Sequence, residues 1–104
     1  MVAHYSRPMT RAQTLSALSQ AKPELTRRFG VLRLGLFGSA VRGDARSDSD
    51  VDIVVSFDGP ASSKRYFGVQ FFLEDLLGRP VDLVTDKALR PELRPYIEKE
   101  LVDV

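Results

Sequence analysis

Gly38-Ser39-Ala40-Val41-Arg42-Gly43-Asp44-Ala45-Arg46-Ser47-Asp48-Ser49-Asp50-Val51-Asp52-Ile53-Val54-Val55 is the stretch that decides the fold of this chain. A Gly-Ser turn follows the apolar run Val31 to Phe37, and ten residues later Asp50-Val51-Asp52 opens a second apolar run. If Asp50 to Phe57 is a strand, alternation puts Asp50, Asp52, Val54 and Ser56 on one face. Val51, Ile53, Val55 and Phe57 then share the other, an apolar face suited to a core. Carboxylates on a strand otherwise built for burial are costly unless a cation neutralises them. Magnesium, a hard cation with a preference for oxygen ligands, does this best. The Gly-Ser turn, at a strand-to-helix junction, presents backbone N–H groups to an anion, most naturally a phosphate. A phosphate cradle facing a metal-binding carboxylate pair is the layout of nucleotidyl transfer.

Working outward, Thr10 can cap a helix through about Gln20, and Lys22-Pro23-Glu24 restarts helix toward Phe29, with Gly30 as terminator. Val31 to Phe37 reads as the first strand, Ser39 to about Gly43 as a short helix and Asp44 to Ser49 as a polar loop. Asp50 to Phe57 is the second strand, and Asp58-Gly59-Pro60 a turn. Ser62 or Ser63 caps a helix through Leu77, with Phe67, Phe71, Leu73, Leu76 and Leu77 as core candidates and Gly78 as its end. Pro80 to Thr85 is the third strand, and Pro91 to Leu101 a helix whose regular part Pro95 limits. Strands alternating with helices predict an α/β fold, a mixed sheet with helices packed on it. No internal repeat or low-complexity stretch is visible.

At 104 residues the chain is expected to form one small domain spanning 1–104, with residues 1–9 flexible. A formal net charge of +1 gives no bulk electrostatic case for direct nucleic-acid binding. The acids are unevenly spread: Asp44, Asp48, Asp50, Asp52 and Asp58 crowd one segment. The absence of cysteine excludes disulfides and cysteine-ligated zinc, and fits a reducing cytoplasm. No apolar run approaches the ~20 residues a membrane helix needs. Met1 to Pro8 lacks the apolar core of a signal peptide. A cytoplasmic protein without a membrane partner is therefore expected.

Gly38-Ser39, ten residues, then Asp50-Val51-Asp52 resembles the signature of the minimal nucleotidyltransferase (MNT) family, within the DNA polymerase beta-like superfamily. Arg42-Gly43 and Ser49-Asp50-Val51-Asp52-Ile53 match the family's habits as well. The likeness runs from about Leu25 to the C-terminus. It implies a nucleotidyltransferase-like mixed sheet and a third acid from a later strand, for which Asp82 in Val81-Asp82-Leu83-Val84 is the candidate. Asp50, Asp52 and Asp82 would be both the catalytic residues and the ligands of two magnesium ions, suited to that task by their several lone pairs and negative charge. Gly38 would let the backbone approach a phosphate, Ser39 would add its hydroxyl to the ATP triphosphate, and Arg42 would reach the same phosphates or pair with a loop acid. Asp48 falls in the loop and ranks below the pair.

The resemblance further implies transfer of AMP from ATP to a hydroxyl, the acceptor being a tyrosine of a cognate HEPN-type ribonuclease toxin. At this length the chain is expected to lack the extra domain with which larger superfamily members hold their acceptor, so the acceptor is expected to come with another protein. Two alternatives stand beside this: a non-catalytic antitoxin that covers the toxin, and a small-molecule nucleotidyltransferase of the aminoglycoside type. Asp48 to Asp52 also resembles the start of an EF-hand loop, but its sixth and twelfth positions hold Ile53 and Gly59 where Gly and Glu are needed, so a calcium loop is excluded. His4, the one histidine, lies far from the motif and is not expected to act as a base.

Overall fold

The computed structural model describes residues 10–42 and 50–104. Helix α1 spans Arg11–Phe29. Its entry is a capping box: Gln13 N–H donates to Thr10 Oγ1 at 3.0 Å and Thr10 N–H donates to Gln13 Oε1 at 2.9 Å, so two orphan amides are satisfied. The predicted break between Gln20 and Pro23 does not occur. Leu18, Ala21 and Leu25 form one buried stripe that continues past Pro23, whose ring is exposed. That packing outweighs the hydrogen bond which proline removes. Gly30, at φ 72°, ends the helix, its N–H donating to Thr26 O at 2.9 Å.

Strand β1 (Val31–Phe37) pairs antiparallel with β2 (Val51–Phe57), and β2 pairs in parallel with β3 (Val81–Thr85). A two-residue strand, β4 (Val102–Asp103), joins the free side of β1, giving the order β3-β2-β1-β4. The sheet is mixed, as predicted, although β4 is not legible in the sequence. Between Val31 and Arg33 the register shifts, which puts Val31 and Leu34 into the core and leaves Leu32 60% exposed.

The short helix α2 (Ser39–Arg42) follows β1, and α3 (Ser63–Leu77) links β2 to β3 with Ser62 as its N-cap. One face of the sheet is dry. Leu34, Leu36, Val51, Ile53 and Val55 meet Leu18 and Leu25 of α1 and Val69 and Leu73 of α3 there. Phe67 and Phe71, predicted in this core, are 49% and 64% exposed, and stack on each other with ring centroids 6.2 Å apart. The buried stripe of α3 runs through 69, 73 and 77, and two residues away from it is the opposite side of a helix. Leu73 and Leu77 are buried as expected, and Leu76 packs partly against the core.

After a 3₁₀ turn (Asp86–Ala88) the chain forms α4 (Arg94–Glu100) and returns to the sheet's second face. Gly35 makes this possible: a Cβ there would stand 2.6 Å from Leu101 Cδ1. Val54, opposite Gly35 and expected on the carboxylate face, is consequently fully buried too. No described helix is long and apolar enough to cross a membrane.

Candidate active site

β1 runs into the site and β2 and β3 run out of it. Phe37 is the register partner of Asp52, and Asp52 is the register partner of Asp82. The Gly-Ser turn, Asp52 and Asp82 therefore stand side by side on three neighbouring strands, roughly 4.8 Å from one strand to the next. Asp50 precedes β2 by one residue and is exposed, as is Asp82, whereas Asp52 is half-buried.

Gly38 occupies the left-handed region at φ 78°, where side chains are strained. A methyl group on its α-carbon would also overlap Asp52 Oδ2 and stand 3.1 Å from Asp52 Cγ. Glycine is thus required twice, for conformation and for room. The bare turn lies directly against a carboxylate fourteen positions along the chain. Val41 N–H donates to Gly38 O at 3.1 Å, closing the turn. Ser39, the first residue of α2, is partly exposed. Arg42 ends α2, and its side chain, Asp48 and residues 1–9 lie outside the described part of the structure.

The donor chemistry suits a hard divalent ion, because Asp50, Asp52 and Asp82 offer only carboxylate oxygens. Among the described residues no three acidic or histidine side chains are gathered closely enough to hold an ion by themselves. A separate cleft is lined by Val55, Ser56, Phe57, Pro60, Thr85 and Lys87 at the other end of β2 and β3, and contains none of the candidate residues.

One set of residues went unnoticed in the sequence. Tyr66 Oη donates to Leu83 O at 2.6 Å, Gln70 Nε2 donates to Val81 O at 3.1 Å, and Val81 N–H donates to Glu74 Oε2 at 2.9 Å. The signal was the polar spacing 66, 70, 74 along α3, beside the apolar stripe; polar residues at helical spacing read by default as a solvated face.

A family model described as nucleotidyltransferase domain matches residues 18–104. The chain is 42% identical over 96 residues to the protein adenylyltransferase MntA of Thermococcus cleftensis, covering 92% of this chain and 97% of the relative. A solved structure described provisionally as a minimal nucleotidyltransferase superposes with a TM-score of 0.77 at 36% identity, covering 92% of this chain and 97% of that one. A complex of tri-AMPylated Shewanella oneidensis HEPN toxin with MNT antitoxin shares the fold, with a TM-score of 0.61 at 18% identity over 86% of this chain and 70% of that one. With Gly38 seated on Asp52 and Asp82 in register beside them, this chain belongs to the nucleotidyltransferase domain family, in its minimal branch, and is a nucleotidyltransferase.

Proposed function

We propose that this chain transfers AMP from ATP, with magnesium, to a tyrosine hydroxyl of a HEPN-type toxin, and so acts as its antitoxin. The approach of the Gly38 turn to Asp52, itself in register with Asp82, supports this reading, because a bare backbone turn beside carboxylates is what a phosphate with a divalent ion would require. Support comes also from the Thermococcus relative, named a protein adenylyltransferase. The neighbouring folds include a toxin-antitoxin with AMP-PNP and an AMPylated HEPN toxin with its MNT antitoxin.

In this reading the backbone at Gly38 and the Ser39 hydroxyl hold the triphosphate. Asp50, Asp52 and Asp82 would hold the magnesium through their carboxylate oxygens. Bound magnesium would supply charge neutralisation at the phosphates and a lowered pKa for the acceptor hydroxyl. The acceptor oxygen forms a bond to the α-phosphorus, the bond from that phosphorus to the β-bridging oxygen breaks, pyrophosphate departs and the hydroxyl proton passes to solvent. Arg42, at the end of α2, is the cation nearest in sequence to the turn and is assigned to the same phosphates.

The decisive experiment incubates purified toxin with ATP, magnesium and either wild-type chain or the Asp50→Asn/Asp52→Asn double variant, and weighs the toxin intact. Wild type should add one or more AMP units, and chelating the metal should stop it. The double variant keeps the size and shape of both side chains and should remain folded, as far-UV circular dichroism would show. Its transfer should fall by a factor of roughly 10² or more. Should wild type silence the toxin's RNA cleavage while leaving its mass unchanged, the chain is a steric antitoxin and the transfer reading is wrong.

A further inference from the structure

Among the described residues β3 is an edge strand, and edges leave amides and carbonyls open to pairing with another chain. Here the edge is answered by a helix. The inward groups of β3 pair with β2, while the outward groups of Val81 and Leu83 take the three bonds from Tyr66, Gln70 and Glu74. Residues four apart stack along one side of a helix, so these three side chains form a ladder parallel to the strand. Its base is rigid, since Val69, Leu73 and Leu77 of the same helix are buried in the core.

We propose that the Tyr66-Gln70-Glu74 ladder stands in for a fifth strand and positions Asp82 for the reaction. All three bonds fall on Val81 and Leu83, the two residues that flank Asp82. A strand has period 2, so a slip of one residue would replace Asp82 on the site face by valine or leucine. Register is set on one side by pairing with β2 and on the other by the ladder. The Glu74 bond is the strongest of the three, being charge-assisted. These residues act through the β3 backbone and are positioning residues. The inference rests on the reading of Asp82 as an active-site carboxylate.

The test compares Glu74→Ala, Glu74→Gln and Tyr66→Phe with wild type, in two measurements. The first is amide hydrogen exchange at Val81 by NMR, which needs neither metal nor nucleotide. Glu74→Ala should lose about ten- to a hundredfold protection there, and Glu74→Gln, which keeps an acceptor oxygen, should regain most of it. The second is AMP transfer to the toxin. Glu74→Ala should lower kcat about tenfold or more while KM for ATP stays within about twofold, with rescue by Glu74→Gln, because misplacing a catalytic group costs rate more than binding. Tyr66→Phe, which removes one bond without opening a cavity, should lower kcat less in a fully folded protein. Unchanged Val81 protection in Glu74→Ala, or lost protection with unchanged kcat, overturns the proposal. Asp82→Asn, assayed alongside, separates the two failures: unchanged kcat there removes Asp82 from the active site, whereas loss of kcat there together with a neutral Glu74→Ala overturns the ladder alone.

Discussion

One face of the sheet is uniformly apolar, and the other changes character along its length. On the helical face Leu34, Leu36, Ile53 and Val55 meet the stripes of α1 and α3. On the second face, the near end holds Asp52 and Asp82 in register and the middle is closed by Leu101 over Gly35. The far end is a network in which Arg33 reaches Asp103 at 2.8 Å, Glu98 at 3.2 Å and Asp86 at 3.6 Å, and Arg94 reaches Asp86 at 2.9 Å. At that end acids are answered by arginines. At the near end two carboxylates, Asp52 and Asp82, stand in register on adjacent strands. Burial on one side thus supplies stability that lets the other side hold charge where charge is useful.

The contrast can be broken from the apolar side with the largest effect on stability. Leu73→Ala should cost about 3 kcal/mol through lost burial and the cavity left behind, read by urea denaturation. ATP affinity of the folded fraction should not change. A large fall in affinity would show that the two faces are not separable.

A smaller effect is expected where the second face touches the turn. Gly38→Ala should cost about 1–2 kcal/mol, from the left-handed backbone and the overlap with Asp52, measured by thermal unfolding. Calorimetric ATP binding with magnesium should weaken as well, because the added methyl displaces a carboxylate. Normal ATP binding by the folded variant would leave the turn a purely structural device.

Smallest is the far-end network. Arg33→Met should cost no more than about 1 kcal/mol, since these side chains are partly exposed and screened by salt. The Arg33 guanidinium is held above its ordinary range, first by its hydrogen bond to Asp103 and then by that to Glu98. A raised folded-state value contributes stability below the unfolded value and loses it only as pH climbs past the arginine range. Arg33 ionisation should therefore add no pH dependence near neutrality. The difference between wild type and Arg33→Met should shrink in high salt, and a difference that salt leaves untouched would mean that Arg33 acts through packing of its stem.

Resemblance to the family singled out Asp82; the sequence by itself determined the three longer strands, the Gly-Ser turn, the capped ends of α1 and α3 and the placing of Asp50 and Asp52 at the head of β2. These are local matters of period 2 alternation, glycine at a positive φ and caps within one turn. Pairing Asp82 with Asp52 is not local, and only the parallel register of β2 and β3 decides it. The continuous α1 is tertiary as well: Pro23 argues locally for a break, and the stripe from Leu18 to Leu25, packed on the sheet, prevails. Phe67 and Phe71 look like core by composition, yet α3 can turn only one stripe inward, and the helix orientation chosen by Val69, Leu73 and Leu77 leaves them outside. β4 is two residues long, too short for any periodic signal, and it pairs with Gly35 and Leu36 where Leu101 stands over the bare α-carbon of Gly35. Patterns within a turn or a strand are written in neighbouring residues; which strand lies beside which, and which side of a helix faces it, depends on contacts between distant residues that no short window contains.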